Sequence, residues 1–282
     1  MKSIGIVGAG IMGTGIAQVA AEAGYAVKIF DLDSNMMDKS LKGLAKSWQK
    51  AVDKEKISQE EMNKRVALVT AVKDMAEFNG ADLVIEAIAE NLEAKKAVFM
   101  RLEEVCGENT IFASNTSSLS ITEIASFTKR ADKVAGMHFF NPVPIMKLIE
   151  IVNGLTTSAE TIASLKEVAV NMKKVPVVAK DTPGFIVNRL LVPLCNEAAK
   201  VLEAGVASAE DIDTAMKLGA NWPMGPLALS DMVGLDTHVG ATEGLERELK
   251  DSHYGSARLI RQMVRANQLG MKTGKGFYDY KK

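Results

Sequence analysis

Residues 4–31 read IGIVGAGIMGTGIAQVAAEAGYAVKIFD, and this stretch decides the fold. An apolar run suited to a buried strand leads into a glycine-rich turn, a helical run and a second apolar run. In a dinucleotide-binding fold the first glycine permits the tight turn, the second lets the backbone approach a pyrophosphate, and the third lets the helix pack on the strand. The residues of this turn that we expect to bind the cofactor are Gly8, Gly10, Ile11, Met12 and Gly13.

Asp31 ends the second apolar run, about 20 positions beyond the glycines, where such a fold places a carboxylate on the adenosine ribose hydroxyls. A 2′-phosphate beside this carboxylate would bring like charges together at a cost on the order of 1 to 4 kcal/mol. No arginine is adjacent in sequence to offset that repulsion. We therefore expect NAD rather than NADP as the cofactor.

Length and composition restrict the class of protein. The 282 residues suffice for a nucleotide-binding domain and a smaller companion, and a formal net charge of −1 gives no electrostatic basis for binding nucleic acid or an anionic membrane. Cys106 and Cys195 lie far apart without a metal-ligand pattern, so we interpret both as buried hydrophobic side chains in a reducing compartment. No apolar run approaches membrane-spanning length and the first strand follows Lys2 closely, so we expect a cytoplasmic protein.

Short apolar runs alternate with helical patterns through the first part of the chain, which predicts an α/β, Rossmann-type, doubly wound and mostly parallel sheet. Two predicted helices in 33–65, where one crossover helix would suffice, indicate an inserted helical arm. We predict an NAD-binding domain at 1–183 and a smaller all-α domain at 184–282, whose apolar helix faces suggest a subunit contact. The predicted strands are 4–7, 26–30, 67–70, 83–87, 110–113, 134–138, 147–152 and 176–179.

Oxidation of an alcohol by a dinucleotide requires a proton acceptor, and histidine is the natural candidate. His238 and His253 lie in polar helical segments, which favours surface positions for both. His138 ends a predicted strand at the edge of the sheet where ligands bind, and Glu150 follows in an extended run among apolar residues. If the two runs pair, Glu150 could fix the imidazole tautomer. The alternative is a core histidine beside an edge-strand glutamate.

Polar side chains at three further places have two interpretations each. Ser117 follows the predicted strand 110–113 and is either a turn residue or a ligand contact, since the capping box of the next helix uses Ser120. Glu90 is either a helix-dipole partner or a contact to the nicotinamide side of the cofactor. Asn188, one turn into the second domain, is a surface amide or a ligand contact.

Six segments, in order and spread over nearly the whole chain, resemble the 3-hydroxyacyl-CoA dehydrogenase family in its compact form without a fused hydratase domain. The resemblance implies NAD-dependent interconversion of (S)-3-hydroxybutyryl-CoA, or another short-chain 3-hydroxyacyl-CoA, with acetoacetyl-CoA or the matching ketone. It also implies a reaction that needs no metal and a homodimer formed through the helical domain. The resembling segments are 8–13, 90–92, 114–118, 138–142, 181–189 and 272–278.

The resemblance also implies residue roles. His138 matches the general acid–base, Glu150 the residue that orients it, and Ser117 and Asn188 the contacts to the reacting oxygen and thioester. Arm lysines that would hold the CoA tail are Lys50, Lys54 and Lys56, although a lysine-rich helix is commonly just a solvated face. Positions matching the surroundings of the NAD site are Asp31, Glu90, Lys95, Asn115 and Asn141.

Two other functions compete with this interpretation. The β-hydroxyacid dehydrogenases, which act on free acids, also often end their glycine turn in Met-Gly, but we find no counterpart of the glycine-studded helix that carries their catalytic lysine. A catalytically inactive structural relative, as in lens crystallins, would keep the fold without turnover. Intact His138 and Glu150 argue against that alternative.

Overall fold

The computed structural model describes residues 1–281, and this part of the chain divides into two compact units after Thr182. The second unit therefore begins at Pro183, next to the boundary expected from the sequence. Among the described residues, no helix combines the length and the apolar character needed to cross a membrane.

The first unit contains one eight-stranded sheet in the order β3-β2-β1-β4-β5-β6-β7-β8. All neighbouring strands are parallel except β6 and β7, which form an antiparallel pair. This arrangement confirms the predicted Rossmann-type sheet, and strand order reverses between β1 and β4. The strands are β1 (Ser3–Val7), β2 (Ala26–Phe30), β3 (Val69–Ala71), β4 (Leu83–Glu86), β5 (Ile111–Ser114), β6 (Val134–Phe139), β7 (Leu148–Asn153) and β8 (Val175–Lys180).

Six α-helices accompany this sheet, and two of them form the predicted arm between β2 and β3. Trp48 fastens the arm to the first helix, because its buried indole Nε1 donates to Glu22 Oε1 at 2.8 Å. The prediction of a strand from Ala67 is wrong at its start, since Ala67 completes the second arm helix and the short strand begins at Val69. The helices are α1 (Ile11–Glu22), α2 (Ser34–Asp53), α3 (Gln59–Ala67), α4 (Leu92–Val105), α5 (Ile121–Ala125) and α6 (Ala159–Asn171).

The second unit is helical, as predicted, and isolated bridges are the only β pairing within its described residues. Two buried carboxylates organise its chain. Asp213 accepts from the backbone N–H groups that open the third helix of this unit, and Asp231 accepts from the N–H groups of Phe277 and Tyr278. The helices are α7 (Val187–Glu203), α8 (Ala209–Gly219), α9 (Pro226–Val233), α10 (Leu235–Leu249) and α11 (Arg258–Arg265).

The two remaining histidines differ in exposure. His253 is exposed, which confirms its predicted surface position. The same prediction for His238 is wrong: its side chain is 5% exposed, because it lies on the face of α10 that also carries the buried Leu235 and Thr242. Burial lowers the pKa of His238 from 6.5 to about 4.

Both cysteines lie in the interior of their units, which confirms their interpretation as buried side chains. Burial is the main cause that raises the pKa of each thiol, Cys106 and Cys195, to about 11. A thiol with a raised pKa is a poor nucleophile, so neither residue is a candidate for covalent chemistry.

Candidate active site

The glycine turn lies where β1 meets α1, and its geometry explains each glycine. Gly8 has φ of +107°, and a Cβ there would lie 2.6 Å from the carbonyl oxygen of Ala87. A Cβ on Gly13 would lie 1.8 Å from the carbonyl oxygen of Gly8. Gly10 is different, because no atom lies within 4 Å of the corresponding position. Its open side faces the start of α1, where no side chain caps the N–H groups, and this arrangement fits a pyrophosphate.

Asp31 lies at the end of β2 beside the same turn. Its Oδ2 accepts from Ala9 N at 2.7 Å and its Oδ1 accepts from Asp33 N at 2.9 Å. The carboxylate therefore fixes the glycine turn as well as lying where a ribose is expected, a second task that the sequence did not indicate. Ile11 and Leu32, 78% and 92% exposed, place apolar surface beside this position, whereas Met12 packs against the core.

His138 and Glu150 face each other across the antiparallel pair of β6 and β7. His138 Nδ1 lies 2.7 Å from Glu150 Oε2, and both side chains are buried, Glu150 completely. The ring of Phe140 lies 4.5 Å from the imidazole, centroid to centroid. Because an ionised carboxylate only accepts hydrogen bonds, this contact selects the tautomer with the proton on Nδ1 and makes Nε2 the basic nitrogen.

A buried lysine fastens the loop that joins these two strands. Lys174 Nζ donates to the carbonyl oxygens of Val143 at 2.5 Å and Met146 at 2.7 Å. Burial lowers the pKa of Lys174, and the charge of Glu22 opposes that shift. Val143 also packs against α1, where a Cβ on Gly15 would lie 2.8 Å from the Val143 Cβ. The hairpin that carries His138 is thus held against α1, through contacts that no sequence pattern predicts.

Glu90 lies over the loop that follows β5 and binds it tightly. Its Oε1 accepts from Thr116 Oγ1 at 2.5 Å, from Ser117 N at 2.9 Å and from Ser118 N at 3.1 Å. Ser117 Oγ lies 3.3 Å from the same oxygen. Burial opposes ionisation of Glu90, but the ammonium of Lys95 and these hydrogen bonds outweigh it and lower the pKa of the carboxyl.

Lys95 connects Glu90 to a residue that the sequence analysis missed. Its side chain is 1% exposed, and Nζ lies 2.7 Å from Glu86 Oε1 and 3.3 Å from Glu90 Oε2. Glu86 is completely buried at the end of β4, and it also accepts from Ser114 Oγ at 2.6 Å and from Ile88 N at 2.8 Å. The available signal was a glutamate closing an apolar strand, since a buried acid requires a partner.

The other predicted site residues are more dispersed. Asn115 bridges two strand ends, because its Oδ1 accepts from Phe139 N at 2.9 Å. Asn141 is exposed and precedes Pro142 through a cis peptide bond. Asn188 is half-buried in the first turn of α7, within the second unit. The three arm lysines lie at the end of α2 and in the turn that follows it, and all are exposed: Lys50, Lys54 and Lys56.

Comparison with known proteins identifies the family. The 3-hydroxyacyl-CoA dehydrogenase NAD binding domain matches residues 3–182, and the C-terminal domain of the same family matches residues 184–280. The chain belongs to the 3-hydroxyacyl-CoA dehydrogenase family. A 3-hydroxybutyryl-CoA dehydrogenase of Clostridioides difficile is 48% identical over 279 residues, which are 99% of each chain. A probable 3-hydroxybutyryl-CoA dehydrogenase of Bacillus subtilis is 47% identical over 280 residues, 99% of this chain and 98% of the relative.

Solved structures agree with this family assignment. The crystal structure of (S)-3-hydroxybutyryl-CoA dehydrogenase from Ralstonia eutropha superposes with a TM-score of 0.98 at 45% identity, covering 100% of both chains. As a 3-hydroxyacyl-CoA dehydrogenase the chain is an NAD-dependent enzyme, and the open glycine turn beside Asp31 provides a site that fits this cofactor.

Proposed function

We propose that the enzyme interconverts (S)-3-hydroxybutyryl-CoA and acetoacetyl-CoA by hydride transfer, with His138 as the acid–base and Glu150 as its orienting partner. The buried contact of 2.7 Å between His138 Nδ1 and Glu150 Oε2 carries this proposal. The four-carbon substrate is supported by the relatives in Clostridioides difficile and Ralstonia eutropha, both of which are named 3-hydroxybutyryl-CoA dehydrogenases.

The chemistry follows from the tautomer. With the Nδ1 proton held by Glu150, His138 Nε2 accepts the proton of the substrate 3-hydroxyl during oxidation, and in reduction it returns that proton. The imidazolium formed in between is stabilised by the carboxylate, which is buried and therefore acts in a low-dielectric surrounding. NAD, when bound, supplies the acceptor for the hydride. Acid–base help of this kind is worth roughly 10² to 10⁴ in rate.

Further residues complete the proposed site. Ser117, fixed at its backbone N–H by Glu90, would hydrogen-bond the reacting oxygen or the thioester, and Asn188 is proposed as a further substrate contact. Lys50, Lys54 and Lys56 are exposed cations that would meet the phosphates of CoA. Residues 1–183 are proposed to bind NAD, residues 184–282 are proposed to contribute to substrate binding and to bind a second subunit, and the proposed location is cytoplasmic.

Turnover with acetoacetyl-CoA and NADH tests the proposal. The unmodified enzyme should consume NADH, and His138→Asn should lower kcat about 10² to 10⁴-fold while NADH affinity stays within about twofold. His253→Asn, at an exposed position, is the matched control and should retain normal turnover. Near-normal rates in His138→Asn would contradict the assignment of His138 as the acid–base.

Two substrate comparisons separate the competing functions. Activity on free 3-hydroxybutyrate but not on its CoA ester would favour a β-hydroxyacid dehydrogenase. Tight NADH binding without turnover of any 3-ketoacyl-CoA would favour an inactive structural relative.

The homodimer is proposed to use one face of α7. Leu190 and Leu194 of α7, with Ile186 directly before the helix, follow one another at intervals of four residues and are 68%, 36% and 38% exposed, which gives a stripe of apolar surface along one side of the helix. Sedimentation velocity should show a dimer that Leu190→Glu converts to monomer. Leu155→Glu, at an 84% exposed leucine of the first unit, is the control and should leave the dimer intact.

A further inference from the structure

Two buried ionisable side chains and one partly exposed carboxylate form a group at the carboxyl ends of β4 and β5, here called the Glu86 cluster: Glu86, Lys95 and Glu90. The surroundings of Glu86 suit an ionised carboxylate, because its two oxygens accept hydrogen bonds from three donors: the ammonium of Lys95, the backbone N–H of Ile88 and the hydroxyl of Ser114. Two carboxylates and one ammonium give the cluster a net charge of −1. No other Lys or Arg bonds to these carboxylates in the described chain.

The topology places this negative charge on one side of the cofactor cleft. In a doubly wound sheet the two halves of a dinucleotide lie on either side of the point where strand order reverses, here between β1 and β4. Asp31 follows β2 and marks the adenosine side. Glu86 ends β4 on the opposite side, and the neighbouring Ala87 carbonyl packs against Gly8 of the glycine turn. The cluster therefore lies on the nicotinamide side.

The charge of the nicotinamide ring depends on its oxidation state. The ring is positively charged in NAD⁺ and neutral in NADH, so a fixed negative charge nearby favours the oxidised form. Buried charges act over several ångströms with little screening by salt. We propose that Glu86 biases the bound cofactor toward NAD⁺ by keeping the cluster at a net charge of −1.

This inference assigns Glu86 an electrostatic role that differs from holding the fold. Its own oxygens are occupied by Lys95, Ser114 and the backbone N–H of Ile88, so Glu86 acts on the cofactor through the field of the cluster rather than by contact. Glu86→Gln is close to isosteric: the amide oxygen still accepts from Lys95, and the amide N–H groups face the hydroxyl of Ser114. The substitution therefore removes a charge with little change in shape.

Equilibrium binding of three ligands provides the test. Dissociation constants are measured for NADH by fluorescence, and for NAD⁺ and ADP-ribose by competition. In Glu86→Gln the ratio of the NAD⁺ constant to the NADH constant should rise roughly 3-fold to 10-fold. ADP-ribose, which lacks the nicotinamide ring, should bind within about twofold of the unmodified protein. An unchanged ratio overturns the inference.

Two matched variants separate charge from geometry. Glu93→Gln makes the same chemical change at an exposed position of α4 and should leave the ratio unchanged, because solvent screens that charge. Ser114→Ala removes a hydrogen bond to Glu86 without altering the charge, and it too should preserve the ratio. A shift in Ser114→Ala as large as that in Glu86→Gln would mean that geometry, not charge, sets the preference.

A second variant keeps the test available if Glu86→Gln does not fold, and ligand binding by the unmodified protein tells a failure of the NAD site apart from a failure of the inference. If circular dichroism shows that Glu86→Gln does not fold, Glu90→Gln removes the same charge at a side chain that is 36% exposed, and the ratio should move in the same direction. No shift there also overturns the inference. The inference rests on the NAD site: an unmodified protein that binds neither NADH nor ADP-ribose would refute the site itself, whereas normal binding with an unchanged ratio refutes only the role of Glu86.

Discussion

Both units bury carboxylates, but they give them different partners. In the first unit Glu150 faces His138 and Glu86 faces Lys95, side chains that carry titratable protons. In the second unit Asp213 and Asp231 face backbone N–H groups and the hydroxyls of Tyr278 and Tyr280, and burial raises the pKa of both tyrosines, so that they keep their protons. Such partners fix an acid in place without exchanging a proton near neutral pH, whereas an imidazole can accept and return one. Burial of an acid therefore does not identify an active site; the partner does.

Replacing one buried acid by its amide in each unit, Glu150 in the first and Asp231 in the second, gives the largest expected difference in kcat. Glu150→Gln should lower kcat about 10² to 10⁴-fold, because the amide no longer selects the Nδ1–H tautomer or stabilises the imidazolium. The affinity for NADH should stay within about twofold. Steady-state turnover of acetoacetyl-CoA and fluorescence binding of NADH measure the two quantities.

Asp231→Asn is the counterpart in the helical unit. It should reduce the free energy of unfolding while kcat of the folded protein stays within about twofold, since the side chain is completely buried and bonds to Phe277, Tyr278 and Tyr280 of its own unit. Equal losses of kcat in the Glu150 and Asp231 variants would contradict the proposed difference between a catalytic and a structural buried acid.

A methyl group on Gly276 is the next largest perturbation. A Cβ there would lie 1.9 Å from Asp231 Oδ1, so the C-terminal segment cannot keep its hydrogen bonds to that carboxylate. Gly276→Ala should reduce the free energy of unfolding by roughly 3 kcal/mol, which urea denaturation measures. If stability is unchanged, the segment is not held by Asp231.

Gly10→Ala should leave the stability of the fold unchanged and weaken the binding of NADH. No atom lies within 4 Å of the added Cβ, and φ of −68° suits alanine. The methyl group instead occupies the space through which a pyrophosphate approaches the backbone, so NADH affinity should fall on the order of 10-fold to 30-fold. Thermal unfolding without ligand should change by no more than about 1 °C, and a large loss of stability would show that the turn has a structural role instead.

The sequence predicted the sheet well because each glycine, strand and cap is a local signal. It placed His138 and Glu150 in strands that could pair, but the register that sets them opposite each other is a tertiary property. Glu86 and Lys174 were missed for the same reason. Their roles come from contacts with residues distant in sequence, such as Ser114 and Val143, and composition gives no hint of those.

His238 is where the sequence analysis failed, and it provides the smallest predicted effect. Its segment contains enough polar residues to resemble a surface helix, yet the side chain is buried and Nε2 has no hydrogen-bond partner. The folded state lowers the pKa of this base from 6.5 to about 4, so the unfolded chain takes up the proton first and the folded state loses stability as the pH falls from 6.5 toward 4.

His238→Gln removes that titration. Between about pH 7.5 and about pH 5.5 the unmodified protein should lose about 1.4 kcal/mol more unfolding free energy than the variant. Urea denaturation at the two pH values measures the difference. His253→Gln, at an exposed histidine, is the control and should lose as much unfolding free energy between these pH values as the unmodified protein. Parallel losses in the His238 variant and the unmodified protein would show that the imidazole reaches solvent when it is protonated, and the buried base would then be no more costly to the helical unit than a surface one.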